Sequence, residues 1–434
     1  MDKLVRNFYS RSLNVIKGKL FKGLSIYTLL GFINKVFPLV LLPFLTRVLT
    51  PSDYGIIAMF ATVRTFFNPF TNFGTASSLE RYYFDKKEIN YKDYLSNVFF
   101  IIITCTFFFG AIFLLFKNEI SSLSGVPKSF LWIVVVVSFG SIINRINLII
   151  YRVKFKSISF SILNIVESSL YSILMIIFAL GFKLGWRADV YSQLIVYSSL
   201  GVWGTYILIK NDLLDLKIAL NKDYIKKALS FGLPMFIHTF GIFFVNMSDK
   251  LLINNFLGLE KTGIYNIGFK VATMVLFFVT AFNNAYTPWL YSKLKLKTKS
   301  SIKKAYLSSY YSILFVVFLG VTLLIFLPFL YPILVGEKFQ TSINISKIII
   351  IAQIFNAFYL LLMGYILFEK KTKYIMYITL STSIVSVGLN FYLIPIYGIV
   401  GAANALLVVY FLKFLLTLMF VLIINKNRRI IINT

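Results

Sequence analysis

The sequence contains few acidic residues, one cysteine and one histidine. Only 16 of its 434 residues are Asp or Glu, against 44 Lys and Arg, so the formal net charge is +28. A single thiol, Cys105, cannot close an intramolecular disulfide, which excludes a disulfide scaffold. His238 stands alone, so there is no Cys/His cluster for a metal site, and most histidine-based catalysis is excluded.

Charge of either sign is also scarce for a chain of this length. Charged residues make up 14% of the sequence and hydrophobic residues 58%. The charged fraction is about half that of an average soluble domain. Apolar runs of about 20 residues, the length that crosses a bilayer, recur along the whole chain. The composition therefore predicts an all-α polytopic membrane protein and excludes a soluble enzyme or a nucleic-acid-binding domain.

About twelve transmembrane helices are predicted. They cover residues 23–48, 53–78, 94–116, 129–151, 158–182, 189–209, 228–254, 262–290, 304–328, 346–368, 373–394 and 398–424. The expected organisation is an amphipathic N-terminal segment (1–22), an N-terminal six-helix half (23–209), a linker (210–227), a C-terminal six-helix half (228–424) and a tail (425–434).

The basic residues predict the orientation of these spans. Thirty Lys and Arg lie in the termini and the connections on one side, and six lie in the connections on the other side. Basic connections stay in the cytoplasm. We therefore expect a multi-pass protein of the bacterial cytoplasmic membrane with both termini, the linker and the tail in the cytoplasm.

A weak internal repeat relates the two halves. The segment from Leu49 reads LTPSDYGII, and the segment from Leu257 reads LGLEKTGIY. The leucine and the Gly-Ile pair coincide at an offset of 208 residues. Parallel repeats of six spans are typical of transporters whose substrate path lies between the halves.

Several ionisable residues lie inside predicted spans, where each costs about 2.5–3.5 kcal/mol and usually faces a cavity. They are Lys35, Arg64, Arg145, Glu167, His238, Asp249, Lys250, Lys270 and Lys413. Many of them lie on the same helix face as Ser, Thr and Asn residues. For these Ser, Thr and Asn residues, hydrogen bonding between helices is an equally good interpretation. The excess of cations favours an anionic substrate such as a pyrophosphate.

The predicted site has two parts. Lys35, Arg64, Arg145 and Lys270 are the candidates for a cationic substrate-binding cavity, and Glu167, Asp249 and His238 are candidates for ion coupling or gating. We find no HExxH motif, GxSxG motif, phosphate loop or facing carboxylate pair, so no enzyme is expected. No metal or other cofactor is expected, and transport is expected to use an H⁺ gradient, a Na⁺ gradient, the membrane potential or the substrate gradient.

Three stretches resemble bacterial polysaccharide repeat-unit flippases of the Wzx type, within the multidrug, oligosaccharidyl-lipid and polysaccharide flippase superfamily. They are LLPFLTRVLTPSDYG from Leu41, DKLLINNFLGLEKTGIYNIG from Asp249 and NFYLIPIYGIVGAA from Asn390. They lie near the start, middle and end of the chain, so the resemblance covers its whole length.

The resemblance implies a V-shaped bundle of two six-helix halves that works by alternating access. The implied substrate is an undecaprenyl-pyrophosphate-linked oligosaccharide, moved from the cytoplasmic to the outer leaflet for O-antigen or capsule synthesis. The implied partners are the lipid bilayer and the glycosyltransferases and polymerase of the same pathway. Such relatives use cations on helices 1, 2 and 8, where Lys35, Arg64 and Lys270 lie.

Four alternatives remain open at this point. They are a cation-coupled multidrug extruder of the same fold, a lipid II flippase, a membrane-embedded polysaccharide polymerase or ligase, and a scaffold without transport. A drug extruder is expected to have an acidic pocket, whereas the ionisable residues inside these spans are mostly basic. A polymerase or ligase usually has a large outside loop with catalytic Arg or His, and the loops predicted here are short.

Overall fold

The chain is helical throughout the part that the structure describes. The computed structural model describes residues 40–84, 89–215, 219–296, 298–369 and 371–433, and these ranges contain no strand. The prediction of an all-α protein is confirmed. The helices are α1 (40–48), α2 (Pro51–Phe67), α3 (Ser78–Tyr82), α4 (Tyr91–Leu115), α5 (Lys117–Ser124), α6 (Leu131–Val153), α7 (Ser157–Ile176), α8 (Arg187–Lys210), α9 (Lys222–Ala272), α10 (Met274–Lys295), α11 (Lys299–Leu334), α12 (Ile343–Phe368) and α13 (Thr372–Asn433).

Two helical segments are long enough to cross a membrane twice. Eight segments of the described chain are long and apolar enough to span a bilayer, and two of them have 74 and 52 residues. A helix rises about 1.5 Å per residue and a bilayer core is about 30 Å thick. Both segments therefore contain two spans each.

Each long segment turns at a glycine. Gly258 has φ 83° and Gly398 has φ 60°, a left-handed conformation that glycine adopts without a steric penalty. Beyond the second turn, a Cβ added to Gly401 would lie 2.2 Å from the carbonyl oxygen of Leu393. Residues eight apart in a straight helix are separated by about 12 Å, so the chain reverses at Gly398 and forms a helical hairpin.

Helix α2 has a defined start and a broken end. Thr50 and Asp53 form a capping box at its N-terminus, and Pro51 occupies the first turn. The helix ends at Phe67, and two short 3₁₀ turns follow around Pro69 and Gly74. The predicted span 53–78 is thus not one continuous helix, because Pro69 lacks the backbone donor that would continue it.

The two halves meet at one end of the V-shaped bundle, which we call the closed end. There the amide of Gly336 donates to Thr46 Oγ1 at 2.9 Å, and Arg47 Nη2 donates to the carbonyl of Pro332 at 3.3 Å. We call the opposite end, which carries the connection between α8 and α9, the linker end. Only small residues permit the closest contact at the closed end. A Cβ added to Gly55 would lie 2.0 Å from the Leu259 oxygen.

The halves also meet along one side, where α2 and the turns after it pack against α9 through phenylalanines. The rings of Phe73 and Phe236 stack with centroids 4.7 Å apart, and Phe66 and Phe243 meet edge to face at 5.4 Å. Aromatic pairs of this geometry add about 0.5–1.5 kcal/mol to the burial of their surface. The closed end and this phenylalanine contact together bound a cavity between the halves.

Candidate functional site

A central cavity of about 660 Å³ lies between the two halves. Most of its lining side chains are polar or aromatic although the surrounding helices are apolar. The polar and aromatic lining residues are Arg64, Tyr171, Asp189, Gln193, Tyr197, Asn246, Lys250, Asn266, Phe269, Lys270, Thr273, Gln353, Asn356 and Tyr410. Amide and hydroxyl groups can each donate and accept hydrogen bonds. The cavity can therefore bind a polar, charged molecule inside an apolar bundle.

Arg64 projects from the last turn of α2 into this cavity. Its Nη1 donates to Gln193 Oε1 at 2.6 Å, and its guanidinium carbon lies 5.4 Å from the centroid of the Tyr197 ring. Its Nε is buried and meets no acceptor among the described residues. Buried donors are rarely left unpaired in proteins. Arg64 has five N–H donors in all and lines the cavity, so an acceptor that enters the cavity can bond to its guanidinium.

Asp189 and Gln193 form a second layer behind Arg64. Gln193 Nε2 donates to Asp189 Oδ2 at 2.6 Å, and the hydroxyl of Tyr171 donates to Asp189 Oδ1. Neither residue is among the predicted site residues, because Asp189 stands at the first position of the predicted span 189–209. Their i, i+4 spacing on α8 was the available signal, since it places both on one helix face.

Lys270 lies near the end of α9 and also lines the cavity. Its Nζ is 5.3 Å from the centroid of the Tyr54 ring. Asp189 is the carboxylate that acts on it electrostatically. Asp189 is thus an acidic neighbour that Arg64 and Lys270 share.

Lys250 is a third cation of the lining, but it has a partner. Its Nζ lies 3.3 Å from Asp249 Oδ1, and the two side chains are 5% and 2% exposed. Neighbouring positions on a helix do not face each other, so this pairing depends on the length and flexibility of the lysine side chain. The hydroxyl of Tyr265 donates to Asp249 Oδ2 at 2.7 Å. Asp249, a predicted coupling or gating residue, therefore lies behind the lining rather than in it.

We expect Asp249→Ala to destabilise the protein, because it leaves Lys250 buried without its counter-ion. Removing one partner of a buried ion pair destabilises a protein by about 3–5 kcal/mol. Thermal unfolding in detergent should show a clear fall in Tm for the single variant. The double variant Asp249→Ala/Lys250→Met should recover most of it, since it removes both charges. Equal Tm values for Asp249→Ala and the original protein would contradict the ion-pair assignment.

Glu167 lies close to the cavity but is held by two donors. Asn144 Nδ2 donates to its Oε2 at 2.7 Å, and the hydroxyl of Tyr197 donates to its Oε1 at 2.9 Å. Because Tyr197 also faces Arg64, the Glu167 carboxylate is connected to the cavity through one aromatic side chain.

The other predicted site residues lie elsewhere. Arg145 lines a separate pocket of about 100 Å³ with polar residues of α6 and of the turns after α2. His238 lines a third cavity, between α9, α12 and α13. Lys35 lies outside the described residues. The structure thus brings Arg64 and Lys270 together in one cavity and gives Arg145 and His238 different surroundings.

Two family models match the sequence. The model described as "Polysaccharide biosynthesis protein" matches residues 20–295, and the model described as MatE matches residues 234–392. A protein of Haemophilus influenzae described as "Lsg locus putative protein 1" is 22% identical over 412 residues. That match covers 91% of this chain and 98% of the relative.

Solved structures with a similar fold are transporters. The inward-facing conformation of a multidrug resistance MATE family transporter of the MOP superfamily has a TM-score of 0.74 at 13% identity, covering 91% of this chain and 95% of that one. The outward-facing conformation of a MATE family transporter has a TM-score of 0.58 at 12% identity, covering 94% of each chain. The fold is therefore that of the twelve-span superfamily that the sequence motifs predicted.

Proposed function

Because the chain belongs to the polysaccharide biosynthesis protein family, whose fold is that of membrane transporters and flippases, we propose that it flips undecaprenyl-pyrophosphate-linked oligosaccharide repeat units. The oligosaccharide head passes through the central cavity while the prenyl chain stays in the bilayer. The product is an outer-leaflet precursor for a surface polysaccharide. Glycosyltransferases supply the substrate, and a polymerase uses it.

The position of Arg64 in the lining of the central cavity, where its Nη1 donates to Gln193, is the observation that carries this proposal. A pyrophosphate oxygen is a suitable acceptor for the remaining guanidinium donors, and charge-assisted hydrogen bonds to phosphate are about twice as strong as neutral ones. Lys270 supplies a second cation in the same cavity. The amides of Asn356 and Gln353, which line the cavity and bond to each other at 3.1 Å, suit sugar hydroxyl groups.

The proposed cycle assigns a side of the membrane to each end of the bundle. We infer that the closed end faces outward, because the connections at the linker end are much richer in Lys and Arg than those at the closed end. The better fit to an inward-facing relative than to an outward-facing one supports this orientation. The location proposed is the bacterial cytoplasmic membrane, with both termini in the cytoplasm. An H⁺ or Na⁺ gradient drives the cycle, with Glu167, Asp249 and His238 as candidate coupling groups.

A cation-coupled drug extruder is the second candidate, favoured by the MatE match over residues 234–392. Its substrates are cations. Apart from Lys250, which is paired with Asp249, the charged residues that line the central cavity are Arg64, Lys270 and Asp189. Moving a cation into that cavity brings it close to Arg64 and Lys270, and like charges at short range in a low dielectric repel strongly. The lining therefore favours an anionic substrate.

The test is translocation in reconstituted vesicles. We expect the protein to move a fluorescent polyprenyl-pyrophosphate oligosaccharide between leaflets at least tenfold faster than protein-free vesicles, with an imposed H⁺ or Na⁺ gradient. The fluorescence that an impermeant quencher can reach measures the rate. The matched comparison is uptake of a cationic dye by the same vesicles. Dye transport without lipid translocation would overturn the flippase and support the extruder.

A further inference from the structure

A further cavity of about 450 Å³ lies between α9, α12 and α13. Three of the nine methionines of the chain line it, namely Met235, Met363 and Met376. We call this cavity the methionine cleft. Methionine side chains are unbranched and polarisable, so they adapt to apolar ligands that have no fixed shape.

The remaining walls of the methionine cleft are also mainly apolar, with Ile237, Leu367 and Leu380 among them. Ile237 is 52% exposed and Met376 is 41% exposed. These side chains therefore offer free apolar surface to a ligand, since the protein itself does not cover them. In a bilayer such a surface suits a hydrocarbon chain.

A polar pocket lies next to the methionine cleft. The pocket that contains Arg145 is lined by Asn68, Asn72, Ser138 and Ser141. Met235 lines both this pocket and the methionine cleft, so the two are adjacent. A polar pocket beside an apolar cleft suits a ligand with a polar head and an apolar chain.

A cation stands at the rim of the methionine cleft. Lys373 is exposed, lies in the first turn of α13 at the linker end, and lines the cleft. His238 lines the cleft further along α9 and is half-buried. An exposed lysine next to an apolar cleft complements an anionic lipid headgroup whose chain enters the cleft.

We propose that the methionine cleft is a loading site for the lipid carrier. The cleft holds the polyprenyl chain, and Lys373 contacts the phosphate at the linker end. This inference rests on the proposed function and deepens it, because it assigns the polyprenyl chain of the same substrate to the cleft and its phosphate to Lys373. It also gives a role to Met235, Met363 and Met376, which the central cavity does not use.

The test uses a polyprenyl phosphate with a diazirine in its chain, added to the full-length protein in nanodiscs. We expect photo-crosslinks in the segments 234–241 and 363–380, competed by unlabelled undecaprenyl phosphate but not by phosphatidylglycerol. Met363→Trp and Met376→Trp fill the cleft and should each lower crosslinking at least fivefold. Met419→Trp is the matched control, because Met419 is 46% exposed on α13 and lies outside the cleft.

The headgroup contact has its own test, with a variant on the surface that does not disturb packing. Lys373→Gln should lower crosslinking of the polyprenyl phosphate about tenfold and leave crosslinking of the uncharged polyprenol unchanged. Equal loss with both probes would overturn the phosphate contact. Crosslinks spread over membrane-facing residues, or equal competition by phosphatidylglycerol, would show only general lipid contact and overturn the cleft.

The crosslinking test of the loading site can fail independently of the translocation test of the proposed flippase. If the original protein translocates the headgroup but the cleft is not labelled, only the loading site is overturned. If the headgroup is not translocated by the original protein, the proposed function fails whatever the crosslinks show.

Discussion

Arg64→Ala is expected to abolish headgroup translocation while the protein is still made and folded at its normal level. The same variant should abolish surface polysaccharide in cells that depend on this protein. Lys270→Ala is expected to have the same effect, since both cations line the central cavity. Translocation is measured in vesicles, and protein level and Tm are measured in parallel.

The size of this effect follows from the contacts of Arg64. A hydrogen bond to a charged group contributes about 1.5–3 kcal/mol, and each 1.4 kcal/mol changes an equilibrium constant about tenfold. Loss of one such contact should weaken binding of the pyrophosphate by roughly 10- to 100-fold. The variant also leaves Gln193 Oε1 without its donor. This second effect removes a contact between α2 and α8, so the Tm measured in parallel distinguishes it from lost binding.

Two variants control for charge and for side-chain shape. Arg187→Ala removes an exposed arginine whose guanidinium packs over the rings of Trp186 and Phe130, outside the central cavity. This variant should leave translocation unchanged. Arg64→Lys keeps the charge but loses the planar fork of donors, and should recover only part of the activity. Full translocation by both Arg64→Ala and Lys270→Ala would show that the cavity is not the substrate site.

Gly263→Val is expected to abolish transport for a different reason, because it prevents the closed end from closing. A Cβ at Gly263 would lie 1.9 Å from the carbonyl oxygen of Pro51 and 2.8 Å from the amide nitrogen of Gly55. Backbone atoms cannot move aside as a side chain can, so α2 and α9 must separate. Gly55→Val should act in the same way, since its Cβ meets the Leu259 oxygen.

The matched control is Gly388→Ala on α13. A Cβ at Gly388 has nothing within 4 Å, so this variant should keep full transport. Its helix should be stabilised, since alanine is favoured over glycine by about 1 kcal/mol in a helix. This comparison separates the effect of the closed end from a general effect of losing a glycine.

Closure itself can be measured with a disulfide. Asn254 Nδ2 donates to the carbonyl of Leu123 across the closed end at 3.1 Å. In a Cys105→Ser background, cysteines at positions 254 and 123 should crosslink readily, and Gly263→Val should lower the yield at least fivefold. An unchanged yield together with lost transport would show that the glycine acts through some other step.

The contact between Gly55 and Gly263 was predictable from the sequence only in part. The offset of 208 residues predicted that Gly55 and Gly263 are equivalent positions in the two halves. It did not predict that they touch, because equivalence under a repeat says nothing about distance from the axis. The structure shows that the two glycines meet between the halves. A residue near the repeat axis must lie near its own counterpart.

The site was predictable in part. Helical spacing placed Arg64 and Lys270 on polar stripes, and the structure places both in one cavity. Helical spacing also grouped Arg145 with Arg64 and Lys270, although Arg145 lines a separate pocket. A stripe shows which face of a helix is polar, but not which helix faces it. Asp189 was missed because it stands at the first position of the predicted span 189–209, although the structure pairs it with Tyr171 of α7 and with Gln193.

The sequence alone determined that this is an all-helical membrane protein of the polysaccharide flippase superfamily, because long apolar runs and local motifs depend only on neighbouring residues. It also determined the excess of positive charge in the spans. The tertiary structure decided which charges act together. Arg64 has a buried donor without an acceptor, and Lys250 is neutralised by Asp249. These differences arise from packing between helices that are distant in the sequence, and no local pattern encodes those distances.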